Sequence, residues 1–148
     1  MIVPDVNPLL NAYNRGSSDH AVARRWWETV VNDGEPIGLA WVTILGFLRI
    51  MTNPRAMPHP MPVDAAVMAV EAWLARSNIE LIEPGPRHPE ILFRLLRHVG
   101  VAGSLTTDAH LAALAIERQA RVASTDADFA RFEGLRWFDP LAKPRTRR

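Results

Sequence analysis

Aspartates carry the chemistry that this sequence is best equipped to support. Asp5 follows the short apolar run Met-Ile-Val-Pro, Asp108 stands in an alanine-rich helical stretch, and Asp126 and Asp128 follow a second strand-like run. Carboxylates at the ends of different elements can converge on one place. There they repel one another unless some are protonated or a cation neutralises them. A divalent cation is the simplest remedy, and Mg²⁺ wants near-octahedral oxygen coordination, keeps several waters and commonly uses one or two protein carboxylates. Such a site can activate water and stabilise charge during in-line attack on a phosphodiester.

Each aspartate also has an ordinary structural use. Asp5 can cap a helix at 8–14, Asp108 lies in a first helical turn where the macrodipole favours negative charge, and Asp126 can cap a short turn at 127–132. Capping explains each residue singly. It does not explain why they fall at one edge of the expected sheet, nor why Asp126 and Asp128 come as a pair, so a shared site is the better account.

Other chemistries are disfavoured by what is missing. There is no G-x-x-x-x-G-K-[ST] phosphate loop, no G-x-G-x-x-G fingerprint and no G-x-S-x-G nucleophile elbow. The chain has no cysteine, which removes disulfides and thiolate metal sites and leaves oxygen or imidazole ligands. Receiver domains and haloacid-dehalogenase-like phosphatases also gather aspartates at strand ends, but they typically add a lysine near the phosphoryl group. Here the only lysine is Lys143, in the tail. The histidines show no H-E-x-x-H spacing. His110 lies two residues after Asp108, well round a helix from it, so a packing or surface role is preferred for it and a structural one for His88. Arg49, on an apolar helix, either pairs with a carboxylate or snorkels to the surface.

The elements that must position the aspartates alternate. Short strands are expected at 2–4, 37–40, 79–82 and 121–124, with a last edge strand at 135–138. Helices are expected at 20–31, 41–51, 63–75, 90–99 and 107–119, and the stretch 52–62, with four prolines, reads as a loop. Val63, Val67, Val70 and Leu74 form one apolar stripe, while 41–50 is apolar on nearly every face and reads as buried on two sides. The fold class is therefore α/β, a short, mostly parallel central sheet covered by helices on both faces. Ligands in such folds collect beyond the carboxyl ends of the strands, where Asp5 and Asp126 stand.

A length of 148 residues with 48% hydrophobic content fits one domain, since domains commonly run to about 100–150 residues. The expected domain is 1–140, followed by a basic, disordered tail at 141–148. Without the tail's four cations, 13 basic residues face 16 acidic ones, so the body has no overall cationic surplus to attract nucleic acid. Neither a signal peptide nor a membrane span is indicated, and the chain reads as cytoplasmic.

Three segments in order, Asp5-Val6-Asn7-Pro8-Leu9-Leu10, Thr107-Asp108-Ala109-His110-Leu111-Ala112-Ala113, and Ser124-Thr125-Asp126-Ala127-Asp128-Phe129, resemble the successive motifs of PIN-domain ribonucleases. The likeness is closest to VapC-type toxins of bacterial toxin–antitoxin pairs, in a branch carrying Gly46-Phe47-Leu48-Arg49-Ile50 and Thr52-Asn53-Pro54-Arg55. The D-x-N opening is weak alone; the ordered set, with 18 residues from Asp108 to Asp126, is specific. The resemblance implies a PIN-like fold and an endoribonuclease dependent on Mg²⁺, with Mn²⁺ as the substitute. Asp5, Asp108 and Asp126 would bind the metal, Asp128 would supplement them, and Asn7 and Thr125 would orient ligands or water. It also implies an RNA substrate, a cognate VapB-like antitoxin and a homodimer. PIN domains commonly place a glutamate on the helix after the second strand, whereas 41–53 holds no acid here. The number of metals therefore stays open, and a catalytically silent binding module, whose acidic cluster docks a basic peptide, stands as the alternative.

Overall fold

The computed structural model of the chain describes residues 1–143. Residues 144–148, most of the expected tail, lie outside the described residues, while Leu141 packs against the core. Among the described residues the strands are β1 (Ile2–Pro4), β2 (Ile37–Ala40), β3 (Ile79–Ile82), β4 (Arg121–Ala123) and β5 (Arg136–Phe138). The helices are α1 (Val6–Tyr13), α2 (His20–Asn32), α3 (Trp41–Met51), α4 (Val63–Leu74), α5 (His88–Val99) and α6 (Leu105–Glu117), with a 3₁₀ turn at Ala127–Arg131. The strands form one sheet in the order β3-β2-β1-β4-β5, and every pairing is parallel. Such pairing requires crossovers, and the intervening helices supply them.

Alternation along the strands divides the interior in two. Ile37, Leu39 and Ile79 face a core shared with α1 to α4, while Val3, Ala40, Ile82 and Val122 face one built with α5 and α6. The first core centres on aromatic side chains. Tyr13, Phe47 and Trp73 meet edge to face with ring centroids 4.7–5.5 Å apart, Trp27 packs edge-on against Trp73, and the Trp73 indole N–H donates to Tyr13 Oη at 2.8 Å. Four helices are thereby tied to one another.

Two expectations about helix faces need correction. In α4 the buried stripe is Ala66, Val70 and Trp73, and Val63 is 65% exposed. Trp73 has the larger apolar surface to remove from water, so it sets the rotation of the helix and turns Val63 and Val67 outward. In α3 the buried side is Thr43, Ile44, Phe47 and Met51, while Trp41, Leu45 and Arg49 recur every four residues on an exposed face. One face of α3 thus borders solvent, where burial on two sides was expected. Gly46 lies on the packed side, where a Cβ would stand 3.2 Å from Val6 Cγ2. Its lack of a side chain lets α3 approach the first turn of α1.

Helix starts shift by up to two residues. α5 begins at His88 rather than 90 because Pro89 fits a first turn, and α6 begins at Leu105 rather than 107, with Asp108 still in its first turn. Among the described residues no helix is long and apolar enough to cross a membrane.

Candidate active site

The carboxyl ends of the adjacent strands β1 and β4 bring Asp5 and Asp126 together. β1 pairs directly with β4, and the Asp5 N–H donates to Ala123 O at 2.9 Å, continuing the ladder by one residue. Asp5 then caps α1, its Oδ1 accepting from the Val6 N–H at 2.8 Å. Its Oδ2 accepts from the Ser124 hydroxyl at 2.8 Å, and Ser124 Oγ accepts the Asp126 N–H at 3.0 Å. Asp126 caps the 3₁₀ turn through Oδ1, which accepts from the Asp128 N–H at 2.9 Å. Capping and clustering are therefore the same arrangement. The cap orientations hold the carboxylates where they share one field.

Asp108 reaches that field from α6. Burial, followed by the charges of Asp5, Asp126 and Asp128, pushes its carboxyl up to about 6. Burial also raises Asp5; hydrogen bonds from Ser124 and Val6 oppose the rise, and the Asp126 charge adds to it. The aspartates thus repel one another, and among the described residues no ion pair neutralises any of them.

A cleft of about 290 Å³ opens over this end of the sheet, lined by Asp5, Asp108, Thr43, Thr107, Gly46 and Arg49 among others. A larger cavity of about 760 Å³ lies between α1, α2 and the loop before α4, and among the described residues lining it Glu28 is the only acid. Size does not mark the chemistry here; grouped carboxylates do. Among the described residues no three acid or imidazole side chains are gathered closely enough to enclose a metal ion. The donor set accordingly fits a hard divalent cation that touches one or two carboxylates and keeps its waters, and does not fit a cation caged by protein.

Asp5, Asp126 and Asp128, the other acids expected at the site, thus stand within electrostatic reach of Asp108, and Asp126 within reach of Asp5. Asn7 and Thr125 flank Asp5 and Asp126, but no hydrogen bond joins either side chain to an aspartate among the described residues; Ser124 makes that contact. Thr43 also escaped sequence reading. Buried, it donates to Pro4 O at 3.0 Å and fastens α3 to the end of β1. Both are small hydroxyls in apolar or motif surroundings, and only the adjacency of β1, β4 and α3 reveals them. His110 faces away, its Nδ1 lying 3.0 Å from Nε2 of the buried His88. Burial holds both imidazoles below their ordinary value.

The all-parallel sheet with aspartates at its carboxyl edge defines the class, and residues 2–135 match the PIN domain family model, so the chain belongs to the PIN-domain family. Within it the chain is of the VapC type. It is 45% identical over 141 residues to "Ribonuclease VapC33" of Mycobacterium tuberculosis, an alignment covering 95% of this chain and 99% of that protein. In fold it is similar to VapC20 of M. tuberculosis, described as a "Sarcin-Ricin loop cleaving toxin" (TM-score 0.66, 20% identity, 92% of this chain and 99% of that one). It is likewise similar to a chain of VapBC2 from Rickettsia felis, solved bound to a DNA fragment from their promoter (TM-score 0.67, 16% identity, 93% and 98% covered).

Proposed function

We propose that the chain is a toxin endoribonuclease that hydrolyses RNA phosphodiester bonds in a Mg²⁺- or Mn²⁺-dependent reaction and is neutralised by a VapB-like antitoxin. The observation that carries this reading is the meeting of Asp5 and Asp126, joined through Ser124 at the adjacent ends of β1 and β4, with Asp108 on the wall of the same cleft as Asp5. Burial and then the neighbouring acids raise Asp108 to about 6, so that a cation would relieve the site. A ribonuclease relative aligned over 95% of the chain supports the substrate class. The VapBC2 assembly of a protein with the same fold supports an antitoxin partner. The silent-module alternative is not favoured, because the acid-free α3 leaves the aspartate set intact.

Asp5, Asp108 and Asp126 would hold the cation, one or two of them by direct contact and the rest through its waters, with Asp128 adding charge at the rim. Such a cation, when bound, supplies charge neutralisation and water activation at the phosphodiester. Ser124 fixes the Asp5 carboxylate by its hydroxyl and, through the Asp126 N–H, sets the spacing between two strands' acids. Thr43 holds the backbone beneath them. Asn7 and Thr125 are half-buried beside those acids and available to order water or RNA.

Ser124→Ala removes both contacts of the hydroxyl at a fully buried position. Cleavage is expected to fall about tenfold to a hundredfold, as for other groups that orient metal ligands. An unchanged rate at saturating Mg²⁺, and an unchanged Mg²⁺ requirement, would show that the contact is idle. The functional reading itself is tested with matched RNA and DNA hairpins in Mg²⁺ and in chelator. Internal RNA cutting only with the cation supports it; RNA left intact, or DNA cut in preference, rejects it.

A further inference from the structure

The cleft has a second chemical feature that the aspartates do not explain. Among the described residues lining it, Arg49 is the only cation, standing with Asp5 and Asp108 on the walls of the same depression. It is exposed on α3, one turn beyond Leu45 and two beyond Trp41, and no carboxylate lies within 4.0 Å of its guanidinium among the described residues. Some other arginines of the body are engaged, Arg24 with Glu28, Arg121 with Glu35 and Arg118 with the Glu83 carbonyl, but what sets Arg49 apart is its place in the cleft. An arginine that shares a cleft with Asp5 and Asp108 without pairing with either keeps its donors free for an incoming anion.

The packing of α3 accounts for the placement. Gly46, three residues before Arg49, lets the helix approach Val6, the residue next to Asp5. The side of the cleft formed by α3 contains no acid from Trp41 to Met51, so it adds no repulsion. A phosphodiester entering the cleft meets carboxylates on the β1 and α6 side and a planar, permanently charged fork on the α3 side. Guanidinium matches phosphate oxygens two at a time, which an ammonium does not.

We infer that Arg49 is a substrate-binding residue that grips a phosphate of the RNA against the acidic cleft. The assignment rests on the RNA-hydrolase reading of the same site. It gives the cleft a charge on the protein itself that offsets the aspartates for the substrate, and it assigns a role to the acid-free α3.

The two ideas fail separately in one set of measurements. Binding of a fluorescent single-stranded RNA to the full chain is followed in chelator across a KCl series, so that neither cleavage nor a cation bridge contributes. Arg49→Ala is expected to weaken binding and to flatten the slope of log K against log[salt] by about 0.7, the value for one phosphate contact on a single strand. Arg49→Lys should retain the slope and recover part of the cleavage rate, with KM moving more than kcat. Arg49→Gln should behave as alanine does, and both variants should melt at the wild-type temperature. An unchanged slope and KM in Arg49→Ala overturns the assignment even if the wild type cuts RNA. A slope flattened by Arg49→Ala, together with a wild-type chain that never cuts RNA in Mg²⁺, supports the phosphate contact and sinks the hydrolase reading. No binding of RNA by the wild type in chelator overturns the Arg49 assignment, while the hydrolase reading falls only if the wild type leaves RNA uncut in Mg²⁺.

Discussion

Asp108→Asn is expected to lower RNA cleavage by roughly a hundredfold to a few thousandfold and, at the same time, to make the cation-free protein more stable. Losing a carboxylate that holds a catalytic cation removes about 3–5 kcal/mol of transition-state stabilisation, and each 1.36 kcal/mol is about tenfold. Stability should move the opposite way because Asp108 is pushed from 3.8 to about 6 in the fold. The folded state then binds that proton more tightly than the unfolded state. The penalty is absent below about pH 3.8, grows as pH rises to about 6, and is complete above it. The full shift corresponds to about 3 kcal/mol. Asp108 is only half-buried, however, and solvent screening reduces this to about 1 kcal/mol. For a chain of this size that is a rise of about 2–4 °C in Tm at pH 7.5, vanishing near pH 4. Mg²⁺ should raise the Tm of the wild type and have a much smaller effect on the variant. Equal melting temperatures at pH 7.5, or wild-type cleavage by Asp108→Asn, would remove Asp108 from the cation site.

The second large effect falls far from the site. Trp73 is 3% exposed, stacks edge-on with Tyr13, Trp27 and Phe47, and donates to Tyr13 Oη. Trp73→Ala is expected to cost about 3–5 kcal/mol, the range for a buried aromatic replaced by a methyl group. It leaves a cavity where α1, α2, α3 and α4 meet. Trp73→Phe retains most of the packing and loses the hydrogen bond, so its cost should be about 1 kcal/mol plus a smaller packing loss. Urea unfolding of both variants separates the two contributions. A cost below about 1 kcal/mol for the alanine variant would mean that the aromatic cluster does not tie the helices together. Because Asp5 caps α1, the same variant should also reduce cleavage under conditions where it stays folded.

Much of the architecture was legible in local patterns. β1, β2 and β3 are short apolar runs bounded by proline, glycine or asparagine, and they occur where expected because such runs have few other uses. The rotation of α4 was not legible. Val63, Val67, Val70 and Leu74 are as regular a stripe as Ala66, Val70 and Trp73, and only tertiary contact with Tyr13 and Phe47 favours the tryptophan face. The same holds at the site. Asp5, Asp108, Asp126 and Asp128 were visible because acidic residues after strands and in a helix's first turn have few neutral explanations when taken together. Ser124 was not, because its partner Asp5 lies 119 residues away and a serine beside a strand carries no pattern of its own. The His88–His110 pair spans 22 residues for the same reason.

The acid-free α3 also changes how the cleft should be understood. A glutamate at Gly46 would have to stand against Val6, so the close approach of α3 to α1 and the lack of an acid there belong together. The site then relies on the ends of β1 and β4 and on α6 for its negative charge, and Arg49 faces them from α3.

Whether a cation relieves the field that the aspartates share is tested most directly by the carboxyl titration of Asp108, read by NMR in the cation-free protein and again with Mg²⁺. A value near 6 that falls by a unit or more when Mg²⁺ is added is the predicted result. A titration at the ordinary 3.8, or one near 6 that Mg²⁺ leaves in place, would contradict it.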